Sequence, residues 1–189
     1  MIIESGAGNR YKAEVKSNNK LATEAVVASR AAYQADVEGQ SYLFSTGGFI
    51  SITTVDTETG IFYIKYNGEG HLHLTSIRTC GTASNLWKFY KNPTGGTLIS
   101  AATAAESNNT KFDSSNTVDV NCYKGANGST LTGGTVIENW INAMGHSTEE
   151  FDGVLILGKN DSLALTCQVP SSASVCVRIL GFVDAGVVL

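Results

Sequence analysis

The stretch GVLILGKNDSLALTCQVPSSASVCVRILGFVD, residues 153–184, decides the fold class. It holds three runs rich in Val, Leu and Ile, separated by the turn-forming sequences GKND (158–161) and PSSAS (170–174). Short apolar runs bounded by Gly, Pro, Asn and Ser are typical of β-strands. The stretch therefore predicts three consecutive strands.

The same pattern extends back to residue 41. Turn sequences such as DTETG (56–60), NPTGG (92–96) and GANGS (125–129) separate short apolar or alternating runs. Gly, Ser, Thr and Asn together supply more than a third of the 189 residues, and charged residues make up 16%. About eight to ten short strands with this composition predict an all-β fold, a β-sandwich jelly roll over residues 41–189.

Several segments of this region carry predictions of their own. The runs FISITTV (49–55) and IFYIKYN (61–67) flank DTETG and predict a β-hairpin. TLISAAT (97–103) predicts a strand, and residues 106–116 predict a polar loop. GGTVIENWINAMG (133–145) is compatible with a strand or with one short helix around Trp140.

Residues 1–40 differ from the rest and predict an N-terminal arm or hairpin that anchors the protein or contacts another subunit. Alternating residues on both sides of KSNN (16–19) favour a small hairpin. Residues 21–38 place alanines at helical spacing and are compatible with both a helix and an extended connection. The candidate interface residues of the arm are Tyr11, Val15, Leu21 and Val26.

Charge and hydropathy argue against several partners. The formal net charge is -4, and the 13 Lys and Arg residues are scattered, so we expect no nucleic-acid partner. The longest apolar run, VLIL at 154–157, is too short to cross a membrane. MIIESGAGNR at the start of the chain lacks the pattern of a signal peptide, and we expect a protein made in a reducing cytosol.

The four cysteines are Cys80, Cys122, Cys167 and Cys176. They are widely spaced, form no CxxC motif and lie in strand-like contexts. In a reducing compartment this pattern favours buried thiols over disulfides or zinc ligands.

Three blocks resemble a known class of proteins. LILGKNDSLALTCQVPSSASVCVRILGFVD (155–184) resembles the last strands of jelly-roll virion proteins of tailed bacteriophages, in which a Gly-x-x-Asp-Ser-Leu-like turn leads into a strand. YKAEVKSNNKLATEAVV (11–27) and CYKGANGSTLTGGTVI (122–137) resemble segments of small phage proteins encoded near capsid and tail genes. The resemblance implies a homotrimeric jelly roll on the outside of a capsid; the same fold also serves in head fibres and tail tips.

His71 and His73 form a His-x-His pair in the stretch YNGEGHLHLTSI (66–77). On a strand they share one face, and Leu72 and Leu74 share the other, which predicts that the leucines take the core. The pair is a weak candidate metal site, because one chain adds only His146 as a further imidazole. A solvent or subunit face is favoured.

Catalytic motifs are absent from the sequence. It contains no GxSxG, HExxH, P-loop or GxGxxG, and GHS (145–147) predicts a loop. Carboxylates recur at Glu149, Glu150 and Asp152 and in the turn with Asp56 and Glu58. Solvated acids are the commoner origin of such groups, and we expect no enzyme, no catalytic residue and no cofactor.

Aromatic residues allow two interpretations. In NLWKFYKN (85–92), Trp87 and Phe89 share a face; with Trp140 and Tyr123 they would form a sugar-stacking platform, but packing between two sheets is favoured. Both faces of IFYIKYN are apolar, so the face with Ile61 and Tyr63 is predicted to be covered by a neighbouring subunit or the arm.

Together these observations predict a non-enzymatic phage virion protein. The leading hypothesis is a capsid decoration or cement protein, a homotrimer that binds the major capsid protein or other virion proteins. The alternative is a head-fibre or tail-tip module that binds a receptor or carbohydrate through Trp87 and Trp140.

Overall fold

The structure is a computed structural model, and it describes residues 2–4, 12–15, 21–22, 35, 38–101 and 103–184. Three short strands lie near the N-terminus: β1 (Ile2–Glu4), β2 (Lys12–Val15) and β3 (Leu21–Ala22). They pair antiparallel in the order β1-β2-β3. Most of the predicted helix or extended segment at 21–38 lies outside the described residues.

Twelve further strands and one short helix follow. They are β4 (Ser41–Ser45), β5 (Ile50–Ile52), β6 (Thr59–Tyr66), β7 (His71–Gly81), β8 (Asn85–Lys91), α1 (Thr97–Ser100), β9 (Thr103–Ala104), β10 (Glu106–Asn109), β11 (Val120–Lys124), β12 (Thr135–Asn142), β13 (Gly145–Leu157), β14 (Ser162–Gln168) and β15 (Ala173–Asp184).

These strands form two antiparallel sheets that pack face to face. Sheet 1 has the order β10-β4-β15-β7-β13, with β5 also paired to β15. Sheet 2 has the order β12-β8-β14-β6-β11-β9. The prediction of an all-β sandwich is confirmed. The strands are more numerous than predicted, because short strands at the sheet edges resemble loops in sequence.

The inner faces of the two sheets meet in one continuous core. Leu72 and Leu74 of β7 are fully buried, as the alternation of the His-x-His stretch predicts. Trp87 and Phe89 of β8 also point inward, at 0% and 2% exposure, which confirms their predicted place between the sheets. A buried aromatic ring removes about 150 to 250 Å² of surface from water, so these two rings are major contributors to the core.

The outer face of sheet 2 is covered by the chain itself. Tyr63 is buried there in a second cluster with Leu98 of α1. Ile61, predicted to share its face, lies instead in the main core between the sheets, because it sits at a bulge in the pairing of β6 with β14. A Cβ atom on Gly60 would lie 3.0 Å from Cδ2 of Leu98, so α1 sits directly on the sheet. The predicted cover was a neighbouring subunit or the arm; the structure instead supplies it from the segment between β8 and β12.

Several local predictions are wrong. The runs flanking DTETG do not form a hairpin: β5 belongs to sheet 1 and β6 to sheet 2. Residues 97–100 are helical, residues 106–109 are a strand paired with β4, and GHS begins β13. The segment around Trp140, for which both a strand and a short helix were predicted as possible, is a strand. Polar edge strands resemble loops, because one long side of the strand contacts water rather than another strand.

The cysteine prediction is correct for two residues and wrong for two. Cys122 and Cys167 are free and buried, and burial raises the pKa of both thiols to about 12, which keeps them protonated and inert. Cys80 and Cys176 instead form a disulfide, with Cα atoms 5.2 Å apart. They are directly opposite each other on the neighbouring strands β7 and β15, an arrangement that their separation of 96 residues conceals in sequence.

Candidate functional site

The two long sides of the sandwich are built differently. On one side, residues 103–109 run from β9 at the edge of sheet 2 to β10 at the edge of sheet 1. On the other side, β12 pairs only with β8 and β13 only with β7 among the described strands, so the outer edge of each strand lacks a partner. We call residues 135–157, which contain β12, β13 and their link, the free-edge strip.

The free-edge strip is exposed and apolar. It holds six of the ten large hydrophobic side chains that are exposed among the described residues. They are Val136, Ile137, Ile141, Met144, Val154 and Ile156. Ile141, Met144 and Val154 are 74%, 77% and 78% exposed. Unpaired strand edges and exposed apolar patches are features of surfaces through which proteins associate.

The free-edge strip was not predicted, although the sequence contains a signal for it. Residues 125–158 include Glu138, Glu149, Glu150 and Asp152 but no Lys or Arg. Exposed edge strands are commonly protected by charged side chains, lysine above all, and this segment has acids but no lysine. The two edge strands of the strip therefore lack the lysines that commonly protect such edges.

A basic depression lies beside the strip, on the outer face of sheet 1. Arg78 of β7 and Arg178 of β15 are directly opposite each other, and both are exposed. They line a depression of about 360 Å³ together with Phe49, His146 and the Cys80–Cys176 disulfide. We call this feature the arginine depression. Two of the chain's four arginines meet here, so it is a local concentration of positive charge on a protein of formal charge -4.

His73 lies at the other end of this face and is largely shielded. Its ring stacks on Phe182 at a centroid distance of 4.8 Å, and its Nδ1 lies 2.9 Å from the carbonyl oxygen of Gly153. Its Nε2 is 3.9 Å from a carboxylate oxygen of Asp184. Gly153 has φ 79° and lies in the part of β13 that leaves the ladder opposite Thr75. A side chain at Gly153 would approach the Phe182 ring, so the glycine permits this close contact.

These contacts give His71 and His73 different environments. His71 is exposed, and its ring lies 6.4 Å from that of His73, edge to face. His73 is held in a packed site. The described part of the chain contains no group of three or more His, Cys, Asp or Glu side chains arranged to hold a metal ion.

Glu58 is the centre of a polar network on the outer face of sheet 2. Its carboxylate accepts hydrogen bonds from Lys88 Nζ at 2.5 Å, Tyr90 Oη at 2.5 Å and Thr166 Oγ1 at 2.8 Å. Burial raises the pKa of Glu58, but the three hydrogen bonds and the charge of Lys88 lower it further than burial raises it. The side chain fastens the turn before β6 to β8 and β14. Asp56 of the same turn is exposed and is not part of this network.

The other candidate residues fall into separate places. Trp87 is fully buried and offers no ring to a sugar; Trp140 is half-buried and donates its indole N–H to Thr79 Oγ1 at 3.3 Å. Tyr123 stacks on Tyr63 under the cover of sheet 2. Tyr11 and Val26 lie outside the described residues, as do the side chains of Val15, Leu21 and Asp152.

The described part of the chain has no helix long and apolar enough to cross a bilayer. Comparison of the chain with protein-family models, curated proteins and solved structures found no match. The geometry of the free-edge strip and the arginine depression is therefore the basis on which function is assigned.

Proposed function

We propose that this protein is a non-enzymatic structural component of a tailed-bacteriophage virion: a capsid decoration protein that binds the outside of the head as a homotrimer. The observation that carries the proposal is the free-edge strip, a long apolar surface on a sandwich whose core is otherwise complete. Such a surface fits a protein that works by binding other copies and a repeating particle surface, where many modest contacts act together.

The strand order supports the jelly-roll form of this proposal. β4 and β5 both pair with β15 and count as one strand, and the segment from α1 to β11 is an insertion. The eight remaining strands, numbered along the chain, form one sheet of order 1-8-3-6 and another of order 2-7-4-5. The chain switches sheets at every connection but one, as two interleaved Greek keys require.

The decoration role is preferred to the sugar-binding alternative because of Trp87. A stacking platform needs exposed aromatic faces, and Trp87 is 0% exposed. Trp140 is partly buried against the core and donates a hydrogen bond to Thr79. The large exposed side chains of the free-edge strip are aliphatic, which favours contact with protein over stacking on sugar rings.

The test is attachment to particles of the source phage. The full chain should be detected in purified virions by mass spectrometry and should sediment with heads that have been stripped of it. The same protein lacking residues 1–37 should remain folded but stop sedimenting with heads, since the arm is proposed to anchor it. The deletion keeps residues 38–40. Their backbone carbonyl oxygens accept hydrogen bonds from Asn109, Asn116 and Val183. Attachment of the shortened protein would remove the anchoring role, and absence of the full chain from virions would overturn the function.

A further inference from the structure

The two arginines of the arginine depression have no carboxylate partner among the described residues. Neither Arg78 nor Arg178 forms an ion pair within the described chain. Two like charges on directly opposite residues of an antiparallel pair destabilise it, so this site favours an incoming carboxylate. Glu106 lies two strands away from Arg178 and accepts a hydrogen bond from Ser45; Glu150 lies on β13, diagonal to Arg78. Neither acid is within 4.0 Å of the guanidinium groups.

The free-edge strip has the complementary chemistry. Its acids have no Lys or Arg among them. Glu138 and Glu150 are exposed, and Glu149 is half-buried and accepts a hydrogen bond from Ser147 Oγ at 3.0 Å. The arginine depression combines its two cations with the exposed ring of Phe49, and Leu180 is exposed on the same strand as Arg178. Each surface therefore offers the charge and the apolar area that the other lacks.

We propose that the free-edge strip of one copy docks on the arginine depression of a second copy of this chain. This inference rests on the homotrimer of the proposed function and identifies the surfaces that build it. Guanidinium groups bind carboxylates through paired, charge-assisted hydrogen bonds, so acids of the strip give the contact its orientation. The aliphatic side chains of the strip supply the buried apolar area.

The placement of the two surfaces sets the type of contact. They are different patches of the same chain, so the contact joins copies head to tail rather than through a twofold axis. His146 lines the depression and belongs to the strip, so the two patches adjoin. A head-to-tail contact closes into a ring when each copy is rotated by one third of a turn, and the proposed homotrimer requires that rotation.

The test is a charge-reversal cycle read by solution mass across a dilution series. Arg78→Glu with Arg178→Glu, and separately Glu138→Lys with Glu149→Lys, should each weaken association about tenfold to a hundredfold. All four changes in one chain should restore association, since each reversed strip then meets a reversed depression. Glu150 is left unchanged because it lies close to Arg78 within the same chain.

Two controls keep the result interpretable. Lys65→Glu with Lys91→Glu makes the same change in net charge on sheet 2 and should leave the mass unchanged. Ile141→Ser with Met144→Ser removes exposed apolar area without a change in charge and should also dissociate the trimer. Melting curves should confirm that every variant is folded.

Three outcomes would overturn the inference. If the charge-reversed pairs keep the mass of the trimer, the trimer uses another surface. If the variant with all four changes stays as dissociated as the two variants with one reversed pair each, the two charged patches do not meet. A monomeric wild-type protein would also remove the contact, while the sedimentation assay with phage heads would still decide the proposed function separately.

Discussion

Glu58 shows how one side chain can hold two strands and a turn together. Tyr90, one of its donors, is itself affected: burial and the hydrogen bond to Glu58 raise the pKa of Tyr90 to about 12. The carboxylate is thus charged and the phenol neutral across the physiological range. The pKa of Glu58 is lowered below its ordinary value of 4.5, so its ionised form stabilises the fold.

We predict that Glu58→Gln lowers the free energy of unfolding by about 1 kcal/mol at about pH 7, a modest value because the site is partly exposed. The stabilisation is present above the ordinary pKa and is lost as the pH falls through the lowered one. Urea unfolding of both proteins should therefore show a difference at neutral pH that shrinks as the pH is lowered stepwise below the ordinary pKa of 4.5. Asp56→Asn, in the same turn, is the matched control. A difference that is independent of pH would show that the carboxylate charge does not stabilise the turn.

The disulfide is the second prediction at the scale of residues. Cys80 and Cys176 close a loop with a sequence separation of 96, and cross-links of this kind contribute about 2 to 4 kcal/mol. Cys80→Ala with Cys176→Ala should lower the midpoint of denaturant unfolding accordingly. Reductant should have the same effect on the wild type and none on the variant. Equal midpoints with and without reductant in the wild type would show that the bond does not stabilise the protein.

Residue patterns predicted which face of a strand a side chain occupies better than which residues it contacts. The alternation of His71, Leu72, His73 and Leu74 was enough to place the leucines in the core, because a strand has a period of two. The partners of His73 were not predictable, since Phe182 and Gly153 come from strands far along the chain. The pairing of Cys80 with Cys176 was hidden for the same reason: it depends on the register of β7 against β15.

At the scale of elements, sequence predicted strands more reliably than it assigned them to sheets. The turns at GKND and PSSAS separate β13, β14 and β15 as expected. The hairpin at DTETG was wrong because apolar alternation shows that a run has a buried face, not which sheet it joins. The sequence did not predict β13 as one continuous strand, because the bulge at residues 151–154 interrupts the alternation of apolar and polar residues.

The helix α1 gives a prediction for the cover of sheet 2. Leu98 is fully buried against Tyr63 and Ala164, so Leu98→Ala should lower the free energy of unfolding by about 2 to 4 kcal/mol. The loss should be independent of protein concentration, because the cover belongs to the same chain. Ile99→Ala, at a partly buried neighbour, should cost less. A loss that disappears at high protein concentration would indicate that another subunit covers this face.

At the scale of the whole molecule, the proposed trimer should be indifferent to metal. The described residues offer no metal-binding cluster, and His73 is engaged by Phe182 and Gly153. Light scattering after size exclusion should give the same mass in EDTA and with added Fe²⁺ or Zn²⁺. His71→Ala is the control for nonspecific binding by the exposed imidazole. A mass that rises with metal and falls in EDTA would make the histidine pair a subunit ligand.

The disulfide between β7 and β15 also has a mechanical consequence. Tension applied to the two ends of the chain reaches residues 80 and 176 and passes directly through the covalent bond between them. The intervening segment would be roughly 330 Å long if fully extended, at about 3.4 Å per residue, and it is shielded from the pull. It contains all of β8 to β14, including the free-edge strip. A copy fixed to a particle by its arm and pulled through its far end would therefore lengthen only in the chain outside this loop, and residues 81–175 would stay linked to each other.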